Sequence, residues 1–178
     1  EIRMPEKRQF FLQNKDIFSN FGATRTTNPF FTRRVGLSRD LEGNIIQNKI
    51  LGGFRLSGKI NNSLKIGVLS MLTDEDIENE IPSNLNTVIT FHQKVFNSSV
   101  IKFLFINREV TKNYDFVNEN DNFNRLVGIE YDLISKTNLW NGRFFAYNSF
   151  SPLKKEDGFS GGFRITRETR KHKINFEY

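Results

Sequence analysis

The residues best suited to chemistry are few. Gly53-Phe54-Arg55-Leu56-Ser57-Gly58-Lys59-Ile60 comes close to a phosphate-binding loop. Such a loop cradles phosphates with glycine backbone, reaches them with Lys and holds Mg²⁺ through a following Ser or Thr. Ile60 occupies the position of that hydroxyl, and Gly58-Lys59 reads as strand instead of a strand-to-helix turn, so no nucleotide is expected. His92 and His172 are the two histidines. Each falls in an alternating run without a carboxylate at ligand spacing, a poor basis for a metal site. Asp74-Glu75-Asp76, continuing to Glu78 and Glu80, and Asn118-Glu119-Asn120-Asp121-Asn122 offer hard oxygen ligands of the kind Ca²⁺ takes. Neither has the Gly and terminal Glu of a calcium loop, so both read as solvated loops. No elbow motif fixes a nucleophile. The sequence therefore assigns no catalytic residue, metal or cofactor.

The elements that would position any site follow from composition. The chain has 178 residues, 19 of them Phe, yet only 37% hydrophobic residues and a net charge of +6. Apolar and polar residues must therefore be interleaved. No run approaches the roughly 18 apolar residues of a membrane-crossing helix. The absence of Cys excludes disulfides and thiolate metal sites within the chain. Basic residues are spread over the whole chain with acids among them, so no nucleic-acid partner is expected.

Residues 1–47 show no sustained period. From residue 48 a period of two takes over, which places alternate side chains on opposite faces of a strand. Eight runs are expected to be strands: 49–60, 63–72, 86–97, 99–108, 124–135, 139–150, 159–168 and 171–178. One parity is apolar, with Phe54, Ile66, Phe91, Phe103, Ile129 and Phe144. The other carries Arg55, Lys59, Lys102, Glu130, Arg143, Arg164 and Glu168.

The connections alternate in length. Asn61–Asn62, Asn97–Ser99, Lys136–Asn138 and Thr169–Arg170 are short breaks. Those near 73–85, 109–123 and 151–158 are longer and polar. An antiparallel up-and-down meander puts all short turns at one end, as outer-membrane barrels do. Strands of this length cross a bilayer when tilted. The expected fold is all-β: an up-and-down meander of about eight strands forming a segment of a transmembrane outer-membrane β-barrel, preceded by an irregular N-terminal segment. The apolar parity would face outer-membrane lipid, and the charged parity a hydrated lumen. Phe96, Trp140, Tyr147, Phe150 and Tyr178 would form interfacial girdles. The alternative is a soluble β-rich glycan-binding or glycoside-hydrolase-associated domain, with Trp140, Tyr147 and Phe150 as sugar-stacking residues.

An ordered series of motifs carries a resemblance: Pro5-Glu6-Lys7-Arg8-Gln9-Phe10-Phe11-Leu12, Asp16-Ile17-Phe18, Phe30-Phe31-Thr32-Arg33-Arg34-Val35-Gly36, and Ile50-Leu51-Gly52-Gly53-Phe54-Arg55-Leu56-Ser57-Gly58-Lys59. It resembles a domain family of unknown function at the C-terminal side of large Gram-negative envelope proteins. Those proteins carry an N-terminal region similar to a family-nine carbohydrate-binding module. Gln9 replaces an expected Pro, and Phe54-Arg55 a small residue and Lys. The resemblance implies a bacterial outer-membrane location and an association with glycans through a module outside this chain. It also implies that residues 48–178 are part of a larger barrel, whose excerpt would have open edges near 49–60 and 171–178. Glu6, Lys7, Arg8, Phe10 and Phe11 would then tuck into the barrel mouth. Arg33 and Arg34 would pair with lumen carboxylates such as Glu130. Gly52, Gly53 and Gly58 would permit strand bending or close backbone approach.

Overall fold

The computed structural model describes residues 14–22, 29, 35–118, 121–152 and 158–178. The motif residues Pro5, Glu6, Lys7, Arg8, Phe10, Phe11, Phe31, Arg33 and Arg34 lie outside the described residues.

Eight antiparallel strands form one sheet, and each pairs with its neighbours in sequence. They are β3 (Ile50–Lys59), β4 (Leu64–Thr73), β5 (Asn84–Val95), β6 (Ser99–Val110), β7 (Phe123–Ile134), β8 (Trp140–Phe150), β9 (Gly158–Glu168) and β10 (Lys173–Glu177). The sheet does not close: β3 and β10 are its two edges. The expected meander, strand positions and open edges agree with this arrangement. One detail differs. His172 stands in the turn before β10, where its backbone N–H donates to Thr169 Oγ1.

Local chemistry sets the turns. Residues 60–63 connect β3 to β4, and Asn61 Oδ1 accepts from the backbone N–H groups of Ser63 and Leu64 at 2.8 and 2.9 Å. Asn side chains make such turns by replacing a backbone acceptor. Phe96 and Asn138 take left-handed conformations, φ 53° and 57°, in two further short turns. All four short connections lie at one end of the sheet, and the strand ends joined from β4 to β5, β6 to β7 and β8 to β9 lie at the other.

Two small elements lie inside the stretch without sequence period. Helix α1 (Lys15–Ser19) is a single turn. Strands β1 (Leu37–Arg39) and β2 (Ile45–Gln47) form a separate hairpin. Its loop is organised by Asp40, whose Oδ1 accepts from the N–H of Glu42 and of Asn44. Gly43 sits at φ 86°, a conformation that favours Gly.

The core lies on one side of the large sheet. Ile17, Phe18 and Phe21 of the N-terminal segment pack with Leu69, Met71, Val88, Leu104, Phe145 and Tyr147. Cross-strand partners share a face, and the register runs Arg55–Leu69–Val88–Ile106–Leu126 and Lys59–Lys65–His92–Lys102–Glu130–Phe145. The core therefore occupies the charged parity. We call this the inner face.

The opposite, outer face carries the apolar parity in successive rows. One runs Leu56–Val68–Ile89–Phe105–Val127, and the next Gly58–Ile66–Phe91–Phe103–Ile129–Ala146. Leu64–Gln93–Ile101–Tyr131–Phe144–Phe163 and Leu133–Gly142–Ile165–Phe176 follow. Phe54, Ile129, Phe91 and Phe103 are 59, 56, 43 and 38% exposed. Ile66 and Phe144 are half-buried. Rings meet in pairs along these rows, Phe91 with Phe103 at 6.2 Å and Phe144 with Phe163 at 6.0 Å.

Candidate functional site

The inner face positions a cluster of charges through strand register. Lys102 on β6 and Glu130 on β7 are direct partners, as are Asp132 on β7 and Arg143 on β8. Lys102 Nζ lies 2.6 Å from Asp132 Oδ2 and 3.3 Å from Glu130 Oε2. Arg143 Nε lies 2.6 Å from Asp132 Oδ1, and its Nη2 donates to Asp132 Oδ2 at 3.1 Å. The Tyr147 hydroxyl donates to Glu130 Oε1. Two cations face two anions, so the cluster is charge-balanced. That balance is required because Lys102 and Glu130 are almost wholly buried, and an isolated buried charge is severely penalised.

Residues 14–22 lie over this cluster and offer it mainly backbone atoms. Lys102 Nζ donates to Asn20 O at 2.8 Å, and Arg143 Nη1 to Gly22 O at 2.7 Å. Gly22 N–H donates to Glu130 Oε1. His92 Nε2 lies 2.9 Å from Ile17 O. Arg143 Nη2 also reaches Asn20 Oδ1 at 2.9 Å. Phe21 sits edge-on to His92, with ring centroids 5.4 Å apart. Phe18 lies under the Arg55 guanidinium, 4.8 Å from the ring centroid.

Small residues make room for this arrangement. A Cβ at Gly67 would stand 2.7 Å from Ile17 Cγ2 and 2.8 Å from Phe18 Cζ. A Cβ at Gly53 would stand 2.6 Å from Ser70 O. Gly53 thus permits a close backbone approach, whereas Gly58 has nothing within 4 Å. Gly52 lies at a register shift between β3 and β4, and Gly36 takes φ 83° ahead of β1.

No protein-family model, curated protein or solved structure matches this chain.

The seven charged residues expected on one parity do share one face, but their surroundings differ. Lys102 and Glu130 are buried, Arg55 and Arg143 partly buried, and Lys59, Arg164 and Glu168 exposed. Arg164 pairs with Glu177 at 2.9 Å and Glu168 with Lys173 at 3.0 Å. The centre of this face is therefore buried, because Ile17, Phe18 and Phe21 cover it. Tyr147 is a correction: it is 3% exposed on the inner face and belongs to no girdle. Trp140 and Phe150 lie on the other face at the two ends of β8, so the three rings form no common sugar platform. Gly58-Lys59 lies within β3, as expected.

Sequence reasoning missed His92, Asp132, Gly67 and Gly128 as members of the site, along with Asn20 and Gly22. Parity alone put His92 and Asp132 on the charged face. Nothing in the sequence said which distant segment would cover them.

At the long-connection end, Glu75 joins two loops. Lys112 Nζ lies 3.1 Å from Glu75 Oε2, and the Tyr114 hydroxyl donates to the same carboxylate. These hydrogen bonds, Tyr114's first, hold the Glu75 carboxyl below its ordinary pKa. Desolvation, followed by the bond to Glu75, raises Tyr114. Among the described residues, no group of three His, Asp or Glu side chains is arranged to hold a metal ion.

Proposed function

We propose that the chain is a segment of an outer-membrane β-barrel of a cell-envelope protein, with residues 14–22 filling part of its inner wall. The observation that carries this reading is the division between the two faces. The inner face holds a buried, balanced ion cluster and the core, while the outer face presents large apolar side chains to its surroundings. In water an exposed apolar surface of this extent is costly. In a bilayer it is the favoured contact.

The dimensions agree. Four outward rows, two residues apart, span roughly 20 Å along the strands. The apolar band of outer-membrane barrels is about 25 Å tall. The four short turns at one end and the longer connections at the other match the asymmetry of such barrels. Trp140 and Phe96, both exposed near the short-turn end, suit a membrane–water interface. The open edges β3 and β10 would pair with further strands, since a barrel leaves no backbone group bare in hydrocarbon. The resemblance of residues 5–59 to barrel domains of envelope proteins with a carbohydrate-binding-like module supports the same reading. Any glycan association would reside in that module.

Fractionation of cells producing the full-length protein tests this. The expected protein stays with the outer membrane through salt and alkaline washes and is released by detergent. Recovery from the aqueous periplasm without detergent would overturn the reading.

A further inference from the structure

We infer that the inner wall formed by Gly67, Thr90, His92, Lys102, Glu130 and Arg143 is a peptide-binding site, occupied in cis by residues 14–22 and able to exchange them for another polypeptide segment.

Three observations carry this. First, the wall reads main chain. Ile17 O, Asn20 O and Gly22 O meet His92, Lys102 and Arg143, and Gly22 N–H meets Glu130. Any peptide with the same backbone path presents those groups. Second, the wall's charges are paired with one another: Lys102 with Glu130 and Asp132, Arg143 with Asp132. The segment supplies no buried charge. Among the described residues its ion pair, Asp16 with Lys65 at 3.5 Å, is exposed. Departure of the segment would therefore leave no buried ion without a partner, unlike removal of a strand. Third, the fit is incomplete. Thr90 is 0% exposed, and its Oγ1 has no hydrogen-bond partner beneath the segment. A buried hydroxyl without a partner is destabilising, and a covering segment that offers Thr90 Oγ1 an acceptor would fit the wall better than residues 14–22 do.

Specificity would come from the pockets. Gly67 opens space for Ile17 and Phe18, and His92 and Lys102 flank Phe21. The matching partner is a polypeptide segment with apolar side chains spaced as Ile17, Phe18 and Phe21 are, two adjacent and the third three residues on. This inference does not depend on which solvent meets the outer face.

The test uses the full-length protein with Asn14→Cys and Ser57→Cys, a pair outside the pockets whose side chains meet at 3.3 Å, close enough to be bridged by a disulfide. The probe is a fluorescent synthetic peptide of residues 14–22. Oxidation should lock the segment in place, and reduction should free it. The expected result is saturable binding to the reduced protein, at least tenfold weaker binding to the oxidised form, and none by a Phe21→Asp peptide. Comparing two states of one folded protein removes the ambiguity of a misfolded variant. Failure of the pair to oxidise, no binding to the reduced form, or equal binding to both forms would overturn the inference. Binding is read in whichever medium keeps the protein dissolved, so a failed membrane assignment leaves this outcome legible.

Discussion

The ring of Tyr147 lies across Gly128, its cross-strand partner, so closely that a Cβ at Gly128 would fall 2.7 Å from Tyr147 Cε1. This contact keeps the Tyr147 hydroxyl on Glu130. Gly128→Ala must push the ring aside and loosen the charge cluster. Overpacking of this kind costs about 1–3 kcal/mol. Gly58→Ala, with nothing within 4 Å of its new methyl group, should stay within about 0.5 kcal/mol of the parent. Urea unfolding midpoints of the two variants check the difference.

Lys102→Met removes the cation that neutralises Glu130 and Asp132 at the centre of the inner face. Arg143 remains, 3.8 Å from Glu130 Oε2. Breaking a buried pair from one side costs about 3–5 kcal/mol. Replacing Lys102 and Glu130 together by Met and Leu should recover part of that loss, because no lone charge then stays buried. A double-mutant cycle on the unfolding free energy separates the two effects.

Ile129→Arg probes the outer face, where Ile129 is 56% exposed. On a lipid-facing wall an Arg near the midplane costs about 2–4 kcal/mol. On a water-facing surface it would change stability by about 0.5 kcal/mol or less. The yield of protein refolded into phospholipid vesicles should fall for Ile129→Arg and hold for Lys59→Arg on the inner face. Equal yields for both would contradict lipid contact.

The Glu75 link between the loops has a defined pH window. Its carboxyl is depressed, so its contribution is complete above the unfolded value, about 4.3, and is lost as pH falls through the lower folded value. Lys112 is raised by its bond to Glu75, so its contribution is complete below the unfolded value, about 10.4, and is lost as pH climbs through the higher folded value. Ser83 N–H, which donates to the Tyr114 hydroxyl at 3.1 Å, reports the link. Its hydrogen-exchange protection should be flat through neutral pH and drop in acid. Glu75→Gln should remove the acid-side drop.

The strands and turns were legible because their information is local. Phe91, Phe103 and Ile129 alternate with His92, Lys102 and Glu130, and Asn61 marks a turn whatever lies elsewhere. The hairpin of Leu37–Arg39 and Ile45–Gln47 escaped notice because three-residue strands show too little alternation. Asp40 followed by Gly43-Asn44 was its one signal. The site was less legible. Ile17, Phe18 and Phe21 look like scattered aromatic and aliphatic residues beside Lys and Asn, and their partners lie 48 to 130 positions away in Leu69, Val88, Leu104 and Tyr147. Tyr147 near a strand end reads as a girdle residue until the ring is seen over Gly128.

The unpaired margins of β3 and β10 bear on how the segment behaves by itself. Among the described strands neither margin has a further partner, and an open margin is a template for another chain. Produced alone, these eight strands should stack margin to margin into polymers. Their solubility would then depend on blocking one margin, for instance with proline at alternate positions of β3.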